Sequence, residues 1–145
     1  LNIIGPLGTF YLRADERPLL FLAGGTGLAP FLSMLEVLAK QGSSQKIHML
    51  YAVTRDQDLV LVEALEAYTE RLANFTFSTI VADENSNHPK KGYVTHHLSP
   101  DMLHDGEVDI YLCGPPPMVD AVSEYMKLEN MTPANFYYER FIPSV

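Results

Sequence analysis

Apolar positions along the chain fall into two alternating kinds of run. Five short runs, PLLFLA (18–23), KIHMLYAV (46–53), FTFSTIVA (75–82), VDIYLC (108–113) and FYYERF (136–141), are dense in Val, Ile, Phe and Tyr. Several are apolar throughout, as strands covered on both faces must be. Between them lie longer stretches with apolar residues three or four apart. In PFLSMLEVLAKQG, Phe31, Leu35, Leu38 and Ala39 share a helical face, and Gly42 is placed to end the helix. DLVLVEALEAYTERLA aligns Leu61, Leu65, Tyr68 and Leu72 behind an acidic start. SPDML predicts a short helix with Ser99 as N-cap and Pro100 in its first position. PPMVDAVSEYMKLEN carries Val119, Val122 and Met126 along one side.

Strands separated by helices imply a parallel sheet with right-handed crossovers. The pattern predicts a doubly wound α/β fold, with five strands and about four helices. In such sheets ligands lie beyond the carboxyl ends of the strands. That rule singles out residues 24–30, 54–58, 82–92 and 114–118, all of which follow strand candidates. The polar stretch 82–92 (ADENSNHPKKG) is the candidate for a mobile or binding loop.

Composition narrows the function. The chain has 145 residues, enough for one domain with a real core, and 18 acidic against 10 basic residues give a formal charge of −8. Such a surface repels nucleic acid, and the longest basic run is Lys90-Lys91. No apolar run approaches a membrane span, and the single cysteine, Cys113, fits a reducing compartment, with cytoplasm as the default. The opening LNIIGPLGTFYL reads as strand and turn cut from a longer polypeptide.

The stretch GGTGLAP puts Gly24, Gly25 and Gly27 at a strand-to-helix junction. Glycines there let backbone approach a ligand or take positive φ, and the following helix aims its N–H groups and positive dipole end at an anion such as pyrophosphate. The spacing is neither Gly-x-Gly-x-x-Gly nor a P-loop, so a ligand-free tight turn is the other reading. CGPPPM holds the matching position after the fourth strand, with Cys113 either beside a cofactor or buried and inert. Histidines 48, 88, 96, 97 and 104 show no metal-binding spacing, and the pairs Asp15-Glu16 and Asp83-Glu84 read as solvated loop charges. Ser33, read as buried in a helix, lacks a hydrolase elbow.

Taken in order, GPLGTF, GGTGLAP, YAVTRDQDL, KKGYVT, CGPPPMV and the terminal ERF resemble the pyridine-nucleotide-binding domain of the ferredoxin–NADP reductase family. Within it the chain is most similar to reductase components of bacterial aromatic-ring dioxygenases. The resemblance implies that Gly24, Gly25, Thr26, Gly27, Leu28, Ala29 and Pro30 take the pyrophosphate. It implies that Cys113, Gly114, Pro115, Pro116 and Met118 pack beside the nicotinamide, with Cys113 near its reactive carbon. Glu139 and Phe141 match a carboxylate-x-aromatic ending, in which the aromatic covers the flavin ring and the acid positions the reactants. Thr54, Arg55 and Asp58 would face the adenine ribose, where the Asp58 carboxylate favours NADH over NADPH, while Asp56 and Asp58 as mere helix caps are the structural alternative. Gly92, in KKGYVT, joins the cofactor-binding set.

The resemblance further implies that residues 1–12 are the tail of a preceding flavin barrel with its linker, and 13–145 the NAD-binding domain. FAD would be held mainly by that neighbouring domain, since the family's Arg-x-Tyr-Ser/Thr flavin segment is absent here. A 2Fe-2S cluster in a ferredoxin-like domain and a terminal oxygenase would complete the electron path. Nucleic acid and membrane are not expected partners, and no metal site is expected on this chain. A non-catalytic NAD(H)-sensing module, or a structural α/β interaction domain, would share the same fold.

Overall fold

The structure is a computed structural model that describes residues 10–140. Five parallel strands form one sheet in the order β3-β2-β1-β4-β5. They are β1 (Leu19–Gly24), β2 (Ile47–Val53), β3 (Phe75–Val81), β4 (Asp109–Gly114) and β5 (Asn135–Arg140). The helices are α1 (Ala29–Lys40), α2 (Val62–Arg71), the single turn α3 (Pro100–Leu103) and α4 (Pro116–Leu128). The doubly wound prediction is met, and strand boundaries fall within one residue of the apolar runs.

Burial explains why those runs were legible. Every residue of β1 and β4 is buried, because helices cover both faces at the centre of the sheet. Side chains alternate between two cores. Phe21, Ala23, Tyr111 and Cys113 face α1, where Phe31, Met34, Leu35 and Leu38 meet them. Leu20, Leu22, Ile110 and Leu112 face α4 and its Val119, Val122 and Met126. Full burial of each such aliphatic side chain contributes roughly 1.5–3 kcal/mol. Phe21 anchors the first core, its ring 4.9 Å from Phe31 and 5.7 Å from Tyr111.

Helix ends follow local rules. At the end of α1, Gly42 adopts φ 65° and donates to the Ala39 carbonyl, while Ser43 N–H reaches Leu38 O. That double closure needs a left-handed residue, which explains the glycine. α2 begins later than its periodicity suggests. Residues Asp56–Asp58 wind instead into a 3-10 turn, and the helix starts at Val62. Leu61 is therefore exposed rather than core, although Leu65 and Leu72 are buried as expected. α2 is held to α1 through Glu36, which accepts from Arg71 at 2.7 and 3.1 Å and from the Tyr68 hydroxyl at 2.8 Å. Ser33 is only half-buried, because it sits beside the inward face of α1 rather than on it.

One acidic residue read as solvated is not. Asp15 lies against Asp109, which is fully buried at the start of β4. Asp109 Oδ1 accepts from Arg17 Nε and Asn135 Nδ2, each at 3.0 Å. Its second oxygen accepts no N–H or hydroxyl hydrogen bond, and the Asp15 carboxyl interacts with the Asp109 side chain. Burial and the neighbouring Asp109 charge push Asp15 up to about 6, while Asp109 is held below the usual range by the hydrogen bonds it accepts, which outweigh its burial.

Candidate functional site

The strand order places β1 and β4 side by side at the centre, yet the chain leaves them toward opposite edges. Their carboxyl ends therefore bound a crevice with no loop crossing it. A cleft of about 960 Å³ opens there. One wall follows β1. Gly25–Leu28 form a 3-10 turn that runs directly into α1, and Gly25 takes φ 57° with open space where a side chain would be. Gly25, Thr26 and Ala29 are exposed on the cleft, and Gly24 and Leu28 also line it. The first N–H groups of such a turn have no partner within it and carry the positive end of the combined dipole. No side chain caps it. Gly27 and Pro30 are buried beneath and shape the turn without lining the cleft.

The opposite wall follows β4 and differs in chemistry. Pro116 and Pro117 occupy the first turn of α4 and lack N–H groups, and the Met118 N–H is already bonded to Pro115 O at 3.0 Å. This helix end offers no anion seat. Pro115, Pro117 and Met118 give the cleft an apolar face. The two helix starts that face each other thus differ: one presents uncapped N–H groups and the other an apolar, proline-blocked face.

Cys113 and Gly114 are buried at the end of β4 and do not line the cleft. Cys113 pairs with Glu139 across the β4–β5 ladder. Burial, with the Glu139 charge beside it, pushes its thiol up to about 12, so Cys113 is a neutral thiol at physiological pH. Glu139 is half-buried on the edge strand. Phe141 lies outside the described residues.

The third side follows β2. Thr54 and Asp58 reach the cleft; Arg55 does not. Asp58 Oδ2 accepts the Arg55 backbone N–H at 3.1 Å and stands 3.9 Å from its guanidinium. Both groups are exposed, so the pair is weak, but the Arg55 charge is already answered by Asp58. Asp56 turns away and accepts from the buried Ser86 hydroxyl at 2.7 Å. The two acids that follow β2 have therefore separated: Asp58 caps locally and faces the cleft, whereas Asp56 ties down the next loop.

That loop is more fixed than its polar composition suggests. Ser86 Oγ also accepts the His88 N–H, and His88 Nε2 lies 2.7 Å from Thr79 Oγ1 on β3. Its ends, Ala82 and Gly92, line the cleft. Gly92 has φ 103°, and the His96 ring fills the space of its missing Cβ. Beyond it stand Tyr93, 64% exposed, and across the opening Val60, 71% exposed, with Leu61. Exposed large apolar groups converging on one cleft mouth suit a flat apolar ligand ring. Tyr51, Val60, Leu61 and Tyr93 were not among the sequence candidates. The one available signal was LVLV at 59–62, more consecutive apolar residues than a single helix face uses.

Comparison with known proteins agrees with this geometry. The family profile described as "Oxidoreductase NAD-binding domain" matches residues 21–124. The chain belongs to that family. This NAD-binding domain is 56% identical over 144 residues to the toluate 1,2-dioxygenase electron transfer component of Pseudomonas putida, covering 99% of this chain and 43% of that protein. It is 47% identical over 143 residues to the 2-halobenzoate 1,2-dioxygenase electron transfer component of Burkholderia cepacia, covering 97% and 42% respectively. Among solved structures, the Amycolatopsis cytochrome P450 reductase superposes with a TM-score of 0.81 at 29% identity, over 96% of this chain and 43% of that one. The domain thus spans less than half the length of these curated relatives. Among the described residues no cluster could hold a metal ion and no helix is long and apolar enough to cross a membrane.

Proposed function

We propose that this domain binds NADH and presents its nicotinamide to a flavin held mainly by a neighbouring domain, in a reductase that serves a ring-hydroxylating dioxygenase of the benzoate type. The observation that carries this reading is the pairing of two unlike helix starts across the β1–β4 crevice. The turn at 25–28 supplies N–H donors and dipole for a pyrophosphate; the proline-blocked start of α4 supplies an apolar seat for a ring. A cleft of about 960 Å³ has the capacity for a dinucleotide.

The remaining roles follow from position. Asp58 accepts hydrogen bonds from the adenine ribose and disfavours a 2′-phosphate, and the Arg55 charge beside it is already answered. Val60, Leu61 and Tyr93 receive the adenine. Cys113 is a small neutral group behind the nicotinamide end and Glu139 a carboxylate at its edge; Phe141, from the ERF ending, covers the flavin ring. Bound in the cleft, the dinucleotide supplies a hydride to the flavin, and the cofactors carry the redox chemistry. This chain binds, orients and keeps water from the reacting faces. Holding the rings in register is its main catalytic contribution, which is why displacement of a wall is costly.

The assembly is read from the relatives. Electron transfer components for toluate, 2-halobenzoate and anthranilate dioxygenases, at 56%, 47% and 40% identity, point to an aromatic carboxylate as the oxygenase's substrate class. On our reading, flavin and ferredoxin-like domains with a 2Fe-2S cluster belong to the same polypeptide, residues 1–12 are the flavin domain's tail and linker, and the complex works in the cytoplasm. The test is flavin reduction in the intact reductase with each nucleotide. NADH with a KM well below that for NADPH supports the reading; an equal or lower KM for NADPH overturns the NADH assignment. Nucleotide binding without flavin reduction would favour the sensing module.

A further inference from the structure

Gly24 ends β1 and Gly114 ends β4, on the two strands that bound the crevice, and both are buried. Neither needs glycine for its backbone: Gly24 has φ −119°, and Gly114 is not among the positive-φ glycines. What excludes a side chain at both is Met118. A Cβ on Gly114 would stand 2.6 Å from the Met118 sulfur, and one on Gly24 would come closer still to that same atom. One thioether thus fills the Cβ space of two glycines on adjacent strands. Met118 belongs to the first turn of α4 and lines the cleft.

We propose that Met118 is a positioning residue, a wedge packed over the paired ends of β1 and β4 beneath the first turn of α4, which sets how far that turn stands from the turn after β1. The inference rests on the dinucleotide reading above. On that reading the sulfur fixes how far the anion seat at 25–28 stands from the apolar seat at 115–118. An unbranched thioether suits the site, because its slender chain lies flat over two glycines where a β-branched side chain would meet the strand backbones. The glycines and the methionine then form one unit. A methyl group on either strand end pushes the sulfur into the space reserved for the dinucleotide. This assigns the two strand-end glycines to protein packing, whereas the sequence offers ligand approach or positive φ for Gly24 and the resemblance puts Gly114 beside the nicotinamide.

Gly114 gives the cleaner test, since the three atoms nearest its missing Cβ all belong to Met118. In the intact reductase, Gly114→Ala should raise the NADH dissociation constant roughly 10-fold, and adding Met118→Ala should recover most of that loss, as contacting residues are non-additive. Met118→Ala alone should lower the limiting flavin-reduction rate roughly 5- to 10-fold in stopped flow, with a smaller change in affinity, and Met118→Leu should restore part of the rate. A double variant that binds no better than Gly114→Ala would overturn the proposal. So would a Met118→Ala enzyme whose Tm falls while its limiting rate is unchanged, which marks a packing role only. Should Gly114→Ala not fold, the Met118 series still decides by its split between rate and affinity. If the unaltered protein fails to bind NADH, the dinucleotide reading falls. A melting-temperature cycle on Gly114 and Met118 still tests the wedge: non-additive shifts support it and additive shifts contradict it.

Discussion

Cys113 and Glu139 are direct partners across the β4–β5 ladder, so a buried thiol and a half-buried carboxylate point to the same face at the same height. Burial, reinforced by this carboxylate, holds the thiol neutral, and the pairing ties the edge strand to the end of the crevice. A neutral thiol there can pack against a ring but does not attack one. Iodoacetamide at pH 8 should leave native Cys113 unmodified and label it only after unfolding, read by intact mass. Rapid labelling of the folded protein would contradict the burial and the raised pKa of about 12.

In the intact reductase, Glu139→Ala and Cys113→Ala should each lower the rate of flavin reduction more than they weaken NADH binding. A loss of about 10-fold in rate is expected where ring placement is disturbed. Stopped-flow traces identical to the unaltered enzyme in both variants would remove these residues from the site.

Asp58→Ala should shift nucleotide preference. It removes the carboxylate that lines the cleft where we propose the ribose binds, and frees the Arg55 guanidinium now 3.9 Å from it. The ratio of kcat/KM for NADH to that for NADPH should fall by about 10-fold, equivalent to about 1.4 kcal/mol. No change in the ratio would leave Asp58 as a cap for its own turn.

Asp15→Asn should stabilise the fold near neutral pH. The folded state holds the Asp15 proton more tightly than the unfolded chain does, so that contribution is complete below pH 3.8 and is lost as pH rises through about 6. An asparagine amide can donate to Asp109 at every pH. The variant should therefore gain about 1–2 kcal/mol at pH 7.5 and nothing at pH 4, measured by urea denaturation. An equal gain at both values would show that no shared proton is involved.

How much of this was readable in the sequence depended on which physical rule each segment obeyed. β1 and β4 were plain because strands buried on both faces must be apolar at every position. The start of α2 was not, because Leu61 fits the helical period while the Asp58–Arg55 backbone contact winds residues 56–58 the other way. The loop at 82–92 looked free because its anchors, Ser86 and His88, bond to residues outside it, Asp56 after β2 and Thr79 on β3. Asp15 looked solvated for the same reason, its partner Asp109 being on another strand. The motif GGTGLAP falls at a turn that lines the cleft, yet Gly24 and Gly25 differ in what they do: the Met118 sulfur packs against the Cα of one, and the other takes positive φ. The apolar mouth of Val60, Leu61 and Tyr93 was legible only through the LVLV run, because exposure at a cleft depends on how two separate segments come together.

The central claim is that the β1–β4 cleft binds NADH and aligns it for flavin reduction. Its most direct measurement is single-turnover flavin reduction in the intact reductase over a series of NADH and NADPH concentrations. The account predicts a rate that saturates with NADH at low concentration and needs far more NADPH to reach the same plateau. Reduction that never saturates with NADH, or that proceeds as readily with NADPH, would contradict it.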